Sequence, residues 1–369
     1  MVMHKQTFRY QLYPTPNQRK RLEQTLEECR WLYNETLVYR HDAWQSEQRA
    51  VTLYDCNRLL PEWKRKRPGL QIVHSQVLQN VQARVDLAFK AFFRRVKVGE
   101  KPGYPRFRGQ GRYDSFTYPQ SGFALDGSRL KLSKIGAIKV RLHRPIEGKV
   151  KTLTIRRTPT GEWFACFSVE REVEPSPPSE KAVGVDVGLE SFATLSDGTK
   201  VPNPRFFRQD ERALARAQRR LSKADKGTVL WQKRRLVVAH IHERIANRRR
   251  DFAHKLSRLL VNSYGFIVFE DLNINGMLKN HSLAGSIGDA AWSQLITFTM
   301  YKAAWAGHHV VQVDPRNTSQ MCSFCGTLVQ KDLSNRVHSC PRCGIQIDRD
   351  LNAARNILRL GLQSVGRSP

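Results

Sequence analysis

Polar and apolar positions alternate from Lys5 to Tyr13, and that period of two predicts a β-strand. Pro14 and Pro16 end it, and Thr15 or Asn17 can cap a helix behind it. Leu22, Leu26, Cys29, Leu32, Tyr33, Thr36, Leu37 and Tyr39 then recur at helical spacing, predicting a helix over about 17–49. Val73, Val77, Val81, Val85, Ala88 and Phe92 predict another over about 70–97. Between them Trp63-Lys64-Arg65-Lys66-Arg67-Pro68 forms a basic loop or short helix. Pro102, Gly103 and Pro105 then break the helical pattern. From 113 to 173 short β-rich runs (115–118, 135–140, 150–156 and 163–169) alternate with Gly, Pro and Asp turns. They read as an antiparallel barrel or sandwich that includes the strand at 5–13, with the helices inserted.

Glu174-Pro175-Ser176-Pro177-Pro178-Ser179-Glu180 carries the composition of a linker, and the main boundary is placed there. Ala182–Gly188 follows as a buried strand holding Asp186, then a hairpin over 192–201. Residues 205–260 are helical and carry 17 Lys or Arg against 5 Asp or Glu. Phe266–Leu272 is a second buried strand, with Glu270 near its end. A helix over about 289–306, a strand at 309–313, a cysteine segment and a helix over 350–360 complete the order. Residues 363–369 are expected to form a loose tail.

Charge changes this picture from a generic globular chain to one with a defined partner. Against 33 acidic residues stand 62 basic ones, a formal balance of +29. Self-repulsion makes such a balance costly, and nucleic acid is the matching counter-charge. A basic structural protein, such as a ribosomal component, is the plainer alternative. No run approaches the ~18 apolar residues of a membrane span. The first residues, Met1 to Gln6, lack a signal-peptide core. The expectation is therefore a cytoplasmic protein acting on the nucleoid.

Seven cysteines divide into two groups. Cys29, Cys56 and Cys166 sit alone in apolar surroundings and read as buried small hydrophobes. Cys322/Cys325 and Cys340/Cys343 are paired, with Gly326 and Gly344 just after each pair. Two tight turns can thus present four thiolates to one tetrahedral zinc ion, closed to substrate and so structural. A dithiol switch is the rival reading of either pair alone, and His338 could replace one ligand.

Three acids complete the candidate chemistry: Asp186 and Glu270 at the ends of apolar strands, and Asp350 at a helix start. If the two strands are neighbours, the carboxylates meet at one sheet edge, and the helix N-terminus aims Asp350 at the same point. Crowded carboxylates raise one another's pKa values, and divalent cations relieve that. Two Mg²⁺ ions ~3.5–4 Å apart would suit phosphodiester hydrolysis. Each acid alone could be a cap or turn residue, and Asp348 competes with Asp350. Arg219-Arg220, Lys233-Arg234-Arg235 and Arg248-Arg249-Arg250 have too few acids nearby in sequence to pair, so phosphate contact is expected. Tyr104, Phe107, Tyr113, Phe116 and Tyr118 read as strand core, although some could stack on bases.

At these residues the sequence resembles TnpB, the transposon-encoded RNA-guided nuclease family ancestral to type V CRISPR effectors. The resemblance rests on Gly184-Val185-Asp186-Val187-Gly188, Phe269-Glu270-Asp271-Leu272, Thr318-Ser319-Gln320 before Cys322, and Asp348 to Ile357. His74–Gln79, Gly103–Phe107 and Arg248–Lys255 extend it over nearly the whole chain. It implies an α+β, α/β multidomain fold. A wedge-type antiparallel β-barrel (1–14 and 112–174) would carry an inserted helical recognition domain (15–111). After the 175–180 linker would come an RNase H-like RuvC nuclease domain (181–316 and 348–362) with a zinc-ribbon insertion (317–347).

The resemblance further implies a guide RNA from the transposon end, double-stranded DNA as target, and a short adjacent motif in that DNA. Catalysis would fall to Asp186, Glu270 and Asp350 with Mg²⁺, and zinc to Cys322, Cys325, Cys340 and Cys343. Gln76 and Gln79, with Thr117 and Tyr118, are the motif-reading candidates, because Gln can bond adenine in the major groove. Arg219, Arg220, Arg234, Arg235, Arg248 and Arg249 would hold heteroduplex or single strand. The expected species is a monomer bound to its RNA. Rival readings are a non-catalytic RNA-guided repressor, a transposase and a structural RNA-binding protein.

Overall fold

Pro14-Thr15-Pro16 turns the first strand into the first helix through a reciprocal cap. The Gln18 amide donates to the Thr15 hydroxyl while the Gln18 side chain accepts from the Thr15 amide. The computed structural model describes residues 2–174, 177, 179–330, 332 and 335–366. The described residues fall into two compact units, Met3–Glu172 and the part from Val173 on.

In the first unit β1 (Val2–Tyr13) leads into α1 (Pro16–Glu47), which ends at Gln48 in the left-handed conformation. Then come α2 (Leu53–Arg58), α3 (Leu60–Lys66), a 3-10 turn at Pro68–Ile72 and α4 (Ser75–Lys97). The basic Trp63–Lys66 stretch is therefore helical. The helix expected from 70 starts only at Ser75, because Pro68 opens a separate short turn. Six strands follow: β2 (Ser115–Tyr118), β3 (Phe123–Asp126), β4 (Arg129–Leu132), β5 (Gly136–Arg141), β6 (Lys149–Arg157) and β7 (Trp163–Val173).

The sheet order is β2-β6-β7-β1-β5-β4-β3; the N-terminal strand belongs to it, as the sequence predicts, and takes the middle place. It is an almost closed antiparallel sheet rather than a fully paired barrel. One reason is that α4 packs on β2, where Arg84 donates to the Ser115 carbonyl and the Thr117 hydroxyl. Sheet and helices share one core: Tyr10, Phe116, Trp163 and Phe167 meet Leu22, Leu32, Val77 and Val81.

The second unit, from Val173, takes in the expected linker, whose Pro175, Ser176 and Pro178 lie outside the described residues. It runs β8 (Ala182–Val187), β9 (Ser191–Leu195), β10 (Lys200–Pro202), α5 (Phe206–Ser222), α6 (Val229–Ser263) and β11 (Phe266–Glu270). It continues with α7 (Ile274–Met277), α8 (His281–Ala290), α9 (Trp292–Ala306), β12 (His309–Val313), β13 (Val337–Ser339), β14 (Gln346–Asp348) and α10 (Arg349–Ser364). The helix expected over about 289–306 is α9 and starts at Trp292, because Ala291, with a φ of 54°, separates it from α8, a helix the sequence pattern does not predict. The tail expected from Gln363 is helical through Ser364, and its last three residues lie outside the described set. Among the described residues no helix is long and apolar enough to cross a membrane.

The five-stranded sheet has the order β10-β9-β8-β11-β12; β11 lies parallel to both β8 and β12, while β9 and β10 are antiparallel. Period-two alternation divides its residues between two faces. Val183, Val185, Ile267 and Phe269 join Leu256, Leu260, Trp292 and Leu295 of α6 and α9. Phe266 and Val268 join Val313 and Ile357 on the face covered by α10.

Contact with α10 is unusually close at two glycines. A Cβ on Gly184 would lie 2.1 Å from the Ala354 carbonyl oxygen and 2.6 Å from the Leu358 nitrogen, and one on Gly361 would lie 2.4 Å from Val268. The atoms facing Gly184 are backbone and cannot swing aside. Gly184→Ala is therefore expected to lose about 1–3 kcal/mol or more through overpacking. A thermal melt unchanged by this substitution would contradict the close helix–strand contact.

Candidate active site

The alternation that sets Gly184 under α10 puts Asp186 on the same face, and the alternation that sets Phe266 and Val268 there does the same for Glu270. Val185 pairs with Phe269, so Asp186 and Glu270 occupy the next rung. Helix α10 supplies the third acid. Asp350 stands one turn, about 6 Å, before Ala354. Asp186 stands two residues, about 6.6 Å, beyond Gly184. The strides match, so packing Ala354 on Gly184 brings Asp350 to Asp186.

The electrostatics agree with this convergence. Burial, then the Glu270 and Asp350 carboxylates, push Asp186 well above the ordinary carboxylate range, with Arg349 opposing. Burial also raises Glu270, while the Thr318 hydroxyl, donating to its Oε1 at 2.5 Å, pulls it back. Arg349 donates from Nε and a terminal nitrogen to Asp350 Oδ1, at 3.1 and 3.0 Å.

Asp348 has a different task from Asp350. Its Oδ1 accepts from the Asp350 and Leu351 amides, making it the N-cap of α10, and its Oδ2 accepts from Lys200 at 2.7 Å. Burial works against its carboxylate, but the Lys200 bond and the helix amides outweigh it and hold the group below the usual range. With both oxygens engaged, Asp348 orients the helix start that carries Asp350.

The cysteine segment is joined to the same helix. Cys322, Cys325, Cys340 and Cys343 bring their sulfurs within 4.8 Å of one another. Each pair makes the same turn: the Gly326 amide donates to the Cys322 carbonyl and the Gly344 amide to the Cys340 carbonyl, both at 2.9 Å. Both glycines have positive φ, 75° and 73°, which explains their place after each pair. Four thiols so arranged fit a closed tetrahedral site for a soft or borderline metal. His338 is buried near them but is not part of the cluster.

Buried Asn352 and Asn356 of α10 clamp this segment. Asn352 accepts from the Ser323 amide and donates to the Met321 carbonyl, while Asn356 donates to the carbonyls of Thr318 and Met321. Thr318 thus touches Glu270 through its side chain and α10 through its backbone. Sequence reasoning quoted Thr318 and both asparagines within motifs but gave them no task. Polar residues on the buried face of an amphipathic helix were the available signal.

Carboxylate oxygens are hard donors of the kind that suits Mg²⁺ or Mn²⁺, but among the described residues only the four cysteines bring three or more His, Cys, Asp or Glu side chains close enough together to share an ion.

The expected nucleic-acid residues fall into several settings. Arg219, Arg220 and Arg235 are exposed on the α5–α6 hairpin, Arg235 lies over the Trp231 ring, and Arg234 donates to the Arg220 carbonyl. Two of the basic triplet at 248–250 do find acids, supplied by the fold from distant positions, while Arg250 donates to Asn247. Arg248 reaches Asp210, and Arg249 donates to Asp289 at 2.7 Å. In the first unit Gln79 is exposed, and Gln76 accepts from the Ser121 amide and hydroxyl. Thr117 is engaged by Arg84 and Thr154. Tyr118 faces inward, 1% exposed, and donates to the Ser133 carbonyl. Tyr113 and Phe116 are likewise core, whereas Tyr104 and Phe107 are exposed.

Comparison with known proteins adds lineage to this geometry. Residues 165–281 match the family described as "Probable transposase", and residues 292–357 match "Cas12f1-like, TNB domain", a span that contains all four paired cysteines and Asp350. Residues 1–49 match a "Helix-turn-helix domain", although here they form one strand and one long helix. A Streptomyces pristinaespiralis protein named "Putative RNA-guided DNA endonuclease" is 39% identical over 98% of this chain and 90% of its own length. The Escherichia coli K12 protein "Putative RNA-guided DNA endonuclease InsQ" is 33% identical over 96% and 92%. In fold, the chain resembles the protein of a cryo-EM Cas12f1–sgRNA–target DNA complex, with a TM-score of 0.58 at 14% identity over 91% of this chain and 81% of that one.

Two outcomes follow from the site. A carboxyl whose pKa is raised by folding destabilises the folded state above that pKa, and the penalty fades as pH falls towards the ordinary range. Asp186→Asn should therefore melt higher than wild type at pH 7 in EDTA, with the gap closing towards pH 4. Elemental analysis should find one zinc per chain, lost in Cys340→Ser together with thermal stability.

Proposed function

Since the chain belongs to the TnpB family of transposon-encoded RNA-guided nucleases, we propose that it is a Mg²⁺-dependent endonuclease that cuts double-stranded DNA at a site chosen by a guide RNA. The guide would come from the transposon end, and the target would adjoin a short duplex motif. The observation that carries this reading is the meeting of Asp186, Glu270 and Asp350 on one sheet face, with burial and mutual repulsion raising Asp186. Bound there, Mg²⁺ supplies counter-charge and Lewis acidity at a phosphodiester.

The protein's share of the work is positioning. Asp186 and Glu270 sit on rigid parallel strands, Thr318 fixes one oxygen of Glu270, and the Asp348 cap aims Asp350. In this reading the second unit is a RuvC-like nuclease domain. Zinc on the four cysteines is structural and holds the segment that Asn352 and Asn356 fasten to α10. Exposed Arg219, Arg220 and Arg235 face backbone phosphates, while Arg234, Arg248 and Arg249 are already bonded within the protein. Gln79 and Gln76 read the adjacent motif, whereas Tyr118 is core and Thr117 is taken up by Arg84 and Thr154, so neither is a motif reader. Pairing with the guide reads sequence while protein contacts read shape and motif. The working species would be one chain with one RNA, in the cytoplasm at the nucleoid.

The match described as a transposase favours one second reading, strand joining by the same acids. A plasmid assay with the copurified RNA and Mg²⁺ separates the two. Linear product that follows a reprogrammed guide supports the nuclease, and joined ends support the transposase. Asp186→Ala and Glu270→Ala are expected to reduce cutting to background while guide-dependent DNA binding persists. Undiminished cutting by Asp186→Ala would refute the site.

A further inference from the structure

A cavity of about 480 Å³ opens in the first unit, bounded by the end of α1, the turn after it, α4 and Tyr104. Its size lies within the ~300–1,000 Å³ of ligand sites. Its walls are aromatic and face outward. Trp44 is 51% exposed, Phe93 60% and Tyr104 45%. Exposed rings gathered in one concavity mark a binding surface rather than leftover core.

These rings are braced. Phe92 meets Phe93 at 5.2 Å and Tyr104 at 5.5 Å, both near edge-on. Arg40 lies 4.5 Å over the Phe89 ring and is anchored by Asp86. Arg49 stands at the rim, its guanidinium donating to Glu47 in an exposed pair and to the Tyr39 hydroxyl at 3.4 Å, over the Tyr39 ring. Among the described residues no acid lines the cavity. The stretch Lys90–Arg108 contributes seven Lys or Arg against Glu100 alone.

A purely apolar ligand has no use for this basic surround, and a bare anion has no use for the rings. A nucleotide uses both, because base faces stack on aromatics and phosphates seek cations. We propose that this cavity takes an unpaired nucleobase of a single-stranded segment, stacked on Trp44 and Phe93, with the flanking phosphates on Arg49 and the Lys90–Arg108 stretch. The inference rests on the nucleic-acid reading above and adds a base-binding site in the unit that does not contain the carboxylates.

The test is fluorescence anisotropy with the full chain on single-stranded RNA, single-stranded DNA and strands of the same length with abasic positions. Trp44→Leu should weaken binding to base-bearing strands about 5- to 150-fold, while Trp44→Phe keeps most of the affinity. On abasic strands all three proteins should bind alike. Which base-bearing strand shows the loss, RNA or DNA, identifies the source of the base. Phe93→Leu should repeat the pattern, with thermal melts of all variants matching wild type.

Equal binding by Trp44→Leu and wild type on every base-bearing strand overturns the inference, as does a loss that persists on abasic strands. A wild-type dimer abolished by Trp44→Leu would also overturn it, by making the occupant a second copy. These failures leave the nuclease reading standing, because cleavage is not measured. Failure of wild type to bind any base-bearing strand would overturn the inference in the same way.

Discussion

Helix α10 can rest on β8 at backbone distance only because Gly184 carries no Cβ, while Gly361 makes room for the Val268 side chain of β11, and the site is built on that packing. A side chain at either place would lift the helix, and Asp350 would leave Asp186. The same helix holds the cysteine segment through Asn352 and Asn356. One packing contact thus fixes a carboxylate and a metal-binding loop together. Stability and function are coupled here by geometry, since the helix cannot shift for one without shifting the other.

Against that attraction stands a repulsion the fold leaves in place. Three carboxylates share a partly dehydrated space, and Asp186 is raised well above its usual range. The neighbouring cations are divided unequally. Lys200 goes to Asp348, which caps the helix, and Arg349 lies on Asp350. Asp186 and Glu270 are left with burial and one hydroxyl bond. Such crowding costs folding stability, and in the proposed reading cations supplied from outside would relieve it.

The two units use polar chemistry differently. The first buries its β2 aromatics and spends Thr117 and Tyr118 on internal bonds, while exposing rings on α1 and beside α4. The second pairs some of its arginines with acids from far along the chain, Asp210 and Asp289. Those pairs were invisible locally, because a helix shows its neighbours in sequence but not the acids another helix brings. Exposed Arg219, Arg220 and Arg235 retain the character that composition suggested.

Sequence alone determined much of this protein. Period-two and helical patterning marked the N-terminal strand, both buried acid-bearing strands and the last helix. Cysteine and glycine spacing marked the metal turns, because a knuckle is a local structure whose geometry is written in consecutive residues. Charge named the class of partner. Only the tertiary structure decided the rest: that Asp348 caps while Asp350 points at Asp186, that Thr318 reaches Glu270, and that the seven-stranded sheet stops short of closure with α4 on β2. Each of these joins residues distant along the chain. Local propensity and periodicity specify which face a residue takes, whereas the partner on that face is set by how elements pack.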